Sequence, residues 1–185
     1  TTLFRSIFLN RGAILQQCVV EAFDIMTRYY DENRVHVEGW KTNDAWKVNR
    51  RVVLPRVVDV WYGGDGHLTY GDTRQNLNDI DRAMAFLEGK KLESVPRTTV
   101  RALEAHFKEC GPDFSGVLFE STYFEMRCYK KGTLHMYFKD KELWERFNLT
   151  AARGKNWLPD DVKAREREER ARNKRADQYG LPLSA

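Results

Sequence analysis

Residues 120–139, ESTYFEMRCYKKGTLHMYFK, hold the densest set of chemistry-bearing side chains in the sequence. Phe124, Met126 and Cys128 alternate with Glu125, Arg127 and Tyr129. After a Lys130-Lys131-Gly132 turn, Leu134, Met136 and Phe138 alternate with His135, Tyr137 and Lys139. This is the pattern of a β-hairpin with one buried and one polar face. Parity selects its register. A two-residue turn at Lys131-Gly132 would put the two apolar sets on opposite faces. A three-residue loop with Gly132 in the left-handed conformation pairs Tyr129 with Thr133, Arg127 with His135 and Glu125 with Tyr137. Only the second register leaves a single core face.

On the polar face, Glu125, Arg127, His135 and Tyr137 would supply a general base, a cation for phosphate oxygens and hydroxyl donors. These are the parts of a small metal-independent nuclease. Arg127 opposite His135 favours the neutral imidazole that a base requires. The competing reading is an ordinary polar sheet face shown to water. No metal site is expected, because His36, His67, His106 and His135 are scattered without HxH or HExxH spacing. His106 reads as structural or solvent-facing. Cys18, Cys110 and Cys128 contain no CxxC pair and fall at apolar positions, so they read as buried free thiols. No dinucleotide fingerprint or GxSxG elbow is present, and no cofactor is expected. The run GGDG at 63–66 lacks the Lys-Ser/Thr of a phosphate loop and reads as a hairpin turn.

Nucleic-acid binding draws on more of the chain. Three basic segments are interleaved with aromatic or amide side chains, at 40–51, 129–137 and 153–157. Lys41, Lys47, Arg50 and Arg51 would contact phosphates, and Asn43 a base or the backbone. Lys130, Lys131 and His135 would extend that surface across the hairpin, and Arg153 and Lys155 would add to it. The net charge of +4 and pI near 8.9 permit such a partner without demanding it.

The elements that must position these groups follow from periodicity. Residues 1–9 read as the end of a longer helix and Gly12 as punctuation, followed by an amphipathic helix over 13–30. The β-branched run 51–62 reads as one strand, with Pro55 marking an edge or a bulge. Residues 67–70 read as its returning partner. A helix capped at Asp72-Thr73 closes at Gly89, and another follows Thr98 with Val100, Leu103 and Phe107 on its apolar side. Asp140 caps a short helix holding Leu143, Trp144 and Phe147, before a compact stretch at 148–159. From Asp160 the composition turns to Glu and Arg with no stripe to bury. We therefore expect an α+β fold, an antiparallel sheet with a central hairpin packed by amphipathic helices. The expected organisation is one domain over 1–159 and a charged helical or flexible tail over 160–185. The tail is a candidate for docking a protein partner. No apolar run is long enough to span a membrane and no signal peptide is visible, so a cytoplasmic location is expected. The chain opens at Thr1 without methionine and reads as a fragment of something longer.

Three stretches, GWKTNDAWKVNRRVVLP at 39–55, YFEMRCYKKGTLHMYFK at 123–139 and FNLTAARGKNWLP at 147–159, resemble a family of uncharacterised domains in proteins of prophages and plasmids. Lys41, Thr42, Asn43, Lys131, Gly132, Thr133 and His135 match its pattern. Some members of that family look fused to, or placed beside, DNA adenine methyltransferases. The resemblance thus implies a DNA-related role, with a methyltransferase domain or partner elsewhere. The chain lacks the Asp/Asn-Pro-Pro-Tyr/Phe motif of such an enzyme. The expectation is a DNA-binding or target-recognition module, with RNA as the other nucleic-acid partner and the small nuclease as the runner-up.

Overall fold

The computed structural model describes residues 2–32 and 47–179, with side chains for 12–27, 47–169 and 171–175. The fold is α+β. Helix α1 (Thr2–Glu32) is followed by β1 (Arg51–Leu54), β2 (Val58–Val60), β3 (Gly66–Leu68), α2 (Thr73–Leu87) and α3 (Thr99–Cys110). Then come β4 (Phe119–Glu120), β5 (Phe124–Cys128), β6 (Leu134–Phe138), α4 (Lys141–Gly154) and α5 (Asp160–Tyr179). A four-stranded antiparallel sheet runs in the order β1-β6-β5-β4, and β2-β3 forms a separate two-stranded ladder.

The central hairpin adopts the register that parity requires. Arg127 opposes His135, Glu125 opposes Tyr137, and Tyr129 N–H donates to Thr133 O at 3.0 Å. Gly132 sits at φ 91°, a left-handed conformation that costs glycine little. Phe124, Met126, Cys128, Leu134, Met136 and Phe138 are buried, so the inner face is wholly apolar.

Helices cover that face. Helix α1 packs on α2 and α4. Rings then run inward from the sheet: Phe124 meets Phe138 edge-on at 5.0 Å, Phe138 tilts against Phe147 of α4 at 5.8 Å, and Phe147 stacks on Phe23 of α1 at 6.2 Å. Burying large side chains such as these contributes roughly 1.5–3 kcal/mol each. The helix ends follow from their caps. Thr98 accepts from Arg101 N–H, and Asp140 accepts from Glu142 and Leu143 N–H. Asn148 ties α4 to β1's approach, accepting from Val48 N–H at 2.7 Å and donating to Trp144 O at 2.9 Å. His106 is buried, donates through Nε2–H to Phe114 O at 2.9 Å, and stacks on Phe119 at 4.1 Å, a structural role.

Three sequence expectations are corrected. Gly12 does not punctuate; it lies exposed inside one continuous α1 with nothing within 4 Å of its Cβ position. Glycine's cost in a helix interior, about 1 kcal/mol, is outweighed by the packing of the helix around it. The run 51–62 is two strands. Pro55 offers no N–H, and Arg56 turns to φ 54°, so β1 pairs with β6 while β2 leaves to pair with β3. Residues 148–154 belong to α4, which continues to Gly154 because Ala151 and Ala152 extend its buried stripe. The short strand β4 and its pairing with β5 went unforeseen. Cys18 and Cys110 are half-buried and Cys128 is buried, all as free thiols. The charged segment after Asp160 is helical and largely exposed.

Candidate nucleic-acid interface

The outer face of the four-stranded sheet receives every second residue of each strand. Two cross-strand rows follow from the register: Arg51, Tyr137, Glu125 and Glu120 in one, Val53, His135 and Arg127 in the other. Among the described residues no helix covers them, and Tyr137 is 45% exposed. A depression of about 400 Å³ lies on this face between Arg51, Leu118, Glu125, Arg127, Tyr129, His135 and Tyr137. A second, of about 420 Å³, adjoins it at the hairpin tip between Ser115, Lys130, Lys131 and Thr133. Tyr129 and His135 line both.

His135 is the centre of the arrangement. Arg51 Nη2 lies 2.9 Å from its Nδ1. A guanidinium only donates, so Nδ1 accepts and the neutral ring carries its proton on Nε2. Partial burial, then the Arg51 charge, hold the imidazole below its ordinary pKa of 6.5. The ring of Tyr129 tilts against the imidazole at 4.6 Å. The neutral form was foreseen, but the cation that enforces it comes from β1, two registers away, rather than from Arg127 opposite. Arg127 instead donates to Gly116 O at 3.1 Å, fixing the loop that ends in β4. This geometry makes His135 a hydrogen-bond donor through Nε2–H. Its lone pair is occupied, which leaves Glu125 as the face's carboxylate base.

The remaining sequence candidates divide. Lys130 and Lys131 are exposed at the tip. Arg50 is folded back on the strand: its Nη2 donates to Phe138 O at 2.9 Å, and its guanidinium lies 5.7 Å from the Tyr137 ring centre. Lys139 pairs with Glu120 at 2.8 Å. Lys47 is half-buried at the approach to β1. Arg153 pairs with Glu166 of α5, and Lys155 pairs with Asp24 of α1 while lying 4.6 Å from the Trp157 ring centre. Both sit on the helical side, with the Phe138–Phe147–Phe23 stack between them and the outer face. Lys41, Thr42 and Asn43 lie outside the described residues. Among the described residues no group of three or more His, Cys, Asp or Glu is placed to hold a metal ion, and no helix is long and apolar enough to cross a membrane.

Residues 1–157 match the family model of a domain of unknown function, DUF4942. The chain belongs to that family. The DUF4942 match takes in the whole sheet, both hairpins and helices α1 to α4, and it ends before α5 begins at Asp160. No curated protein and no solved structure matches the chain. The sequence passed over one feature near this face, the exposed aromatic side chains Trp61, Tyr62 and Tyr70 on and beside β2 and β3. Their signal was present in the aromatic content of 61–70, but assigning 51–62 to one strand hid it.

Proposed function

We propose that the outer sheet face binds nucleic acid. Arg51, Arg127, Lys130 and Lys131 contact phosphates, Tyr129 and Tyr137 offer rings to bases, and His135 donates through Nε2–H. The observation that carries this reading is the Arg51–His135 contact, which sets a neutral donor beside a guanidinium on a sheet face that no described helix covers. In this reading the binding surface lies within residues 1–159, and 160–185 is a tail open to a protein partner. The resemblance to prophage and plasmid proteins extends the proposal to a cytoplasmic target-recognition module acting with a DNA adenine methyltransferase, and so to DNA as the first ligand to try. The small nuclease is the second reading. It is favoured by the Arg127–His135 pairing and weakened by the occupied Nδ1 lone pair.

Binding of the full chain to labelled single-stranded DNA, duplex DNA and RNA across a salt series tests both readings. The proposal expects salt-sensitive binding to intact probes, with Lys131→Ala lowering the salt slope by about one and His135→Ala having a small effect. Probe cleavage that disappears in His135→Ala would put the nuclease first. Absence of binding at low salt would overturn both.

A further inference from the structure

The β2–β3 hairpin carries a second surface. Trp61 is 54% exposed, Tyr70 75% and Tyr62 fully so. Trp61 lies nearly parallel on His67, ring centres 4.2 Å apart and planes 19° apart, and Tyr70 meets the same imidazole at 5.7 Å. The backbone beneath them is pinned. A Cβ on Gly66 would come within 2.7 Å of the Phe107 ring and 2.8 Å of Phe114, and one on Gly64 within 3.1 Å of Pro112. Trp61 N–H donates to Asp65 O and Gly64 N–H to Trp61 O, both at 2.9 Å, closing the turn. Large aromatic rings held out to water on a fixed backbone add little to the fold, and such patches mark contact surfaces.

Position and charge say what the contact is. Val57 and Val58 N–H donate to Gly132 O at 2.8 and 3.3 Å, which fastens this hairpin to the Lys130-Lys131-Gly132 turn. Trp61 is three residues beyond Val58, about 10 Å at the rise of a strand. A phosphate on Lys131 and a base on Trp61 therefore suit one continuous strand. Asp59 and Asp65 are exposed beside the rings and would repel a phosphate, so the backbone of such a ligand runs on the lysine side with its bases turned to the aromatics. The patch has one aliphatic member among the described residues, Val60, which suits flat bases better than an apolar protein segment.

We propose that Trp61, Tyr62 and Tyr70 form a base-stacking platform continuous with the basic hairpin tip, and that the ligand is single-stranded nucleic acid. This rests on the sheet-face reading and deepens it. Stacking needs a base whose face is free, which a duplex withholds.

The test uses the full chain, a short labelled oligothymidine, an abasic strand of equal length and a duplex, read by fluorescence anisotropy. Wild type is expected to hold oligothymidine on the order of 10- to 100-fold tighter than the abasic strand. Trp61→Ala and Tyr70→Ala should each remove much of that preference while leaving abasic-strand affinity unchanged. Arg127→Ala should weaken every strand. Where a variant melts earlier than wild type, Tyr62→Ala, at a fully exposed position, replaces either aromatic variant and Lys131→Ala replaces Arg127→Ala. Equal wild-type affinity for the two single strands, or a preference that survives Trp61→Ala and Tyr70→Ala, overturns the platform, and strand binding that Arg127→Ala still weakens leaves the phosphate contacts of the sheet face standing. Binding to none of the probes overturns both.

Discussion

The outer face of the sheet and the helical side of the molecule both set cations beside aromatic rings, and they use them oppositely. On the helical side Arg153 meets Glu166, and Lys155 meets Asp24 while lying over Trp157, so each charge is neutralised where it sits. On the outer face Arg51 donates to a neutral imidazole and Arg127 to a backbone carbonyl. Neither donation cancels a charge. Two sites of similar composition therefore differ in what they offer a polyanion, and the difference lies in the partner rather than in the basic residue. Arg50 and Arg51 repeat the lesson at adjacent positions, one folded back onto the Phe138 carbonyl and the other turned outward.

The largest effect that sharpens this comparison is on stability. Phe147 is fully buried between Phe138 and Phe23, and Phe147→Ala should cost about 3–5 kcal/mol in urea unfolding. Tyr137 projects from β6 on the other side, beside Phe138, and Tyr137→Ala should cost about 0.5 kcal/mol or less. Similar losses for the two variants would mean that the outer face is covered and the contrast false.

Much of the fold was legible because its signals are local. Alternation over 124–138 fixes the hairpin faces, and only a loop with Gly132 left-handed gives them one core. Thr98 and Asp140 announce their helices by side-chain chemistry that acts within three residues. The site was legible only in part, because what decides it is non-local. Which cation meets His135 depends on how β1 registers against β6, and no pattern within 51–54 encodes that pairing. Lys155 looked like a free phosphate contact because its partner Asp24 lies at the other end of the chain. Pro55 was visible as a disruption, but that it sends β2 into a different sheet depends on the Gly132 carbonyl waiting for Val57 and Val58.

Two titrating groups, one on each side of the sheet, extend the contrast to pH. Asp81 of α2 is buried, with its carboxylate accepting Thr99 N–H at 2.5 Å and Thr99 Oγ1–H at 2.9 Å. Burial pushes its pKa from 3.8 up to about 6, against the opposing pull of the two Thr99 bonds. The folded state then binds a proton that the unfolded state releases. Stability from this group is fully present below pH 3.8 and is lost as pH rises through about 6, a fall of roughly 3 kcal/mol. Asp81→Asn should flatten urea midpoints across that window, and a wild type whose stability rises there would contradict the burial of a carboxylate.

His135 runs the other way and with a smaller effect. Its pKa is lowered, so its contribution to stability is present above the unfolded value of 6.5 and is lost as pH falls through the folded one. Arg51 is the second cause and burial the first, so Arg51→Gln should move the imidazole NMR titration midpoint only part of the way back toward 6.5. It should also free Nδ1, giving the ring the lone pair that a general base needs. If the outer face is a binding surface, that variant loses affinity and gains no cleavage. Nuclease activity appearing in Arg51→Gln would show that the arginine restrains a latent base, and the outer face would then differ from the helical side in chemistry as well as in charge.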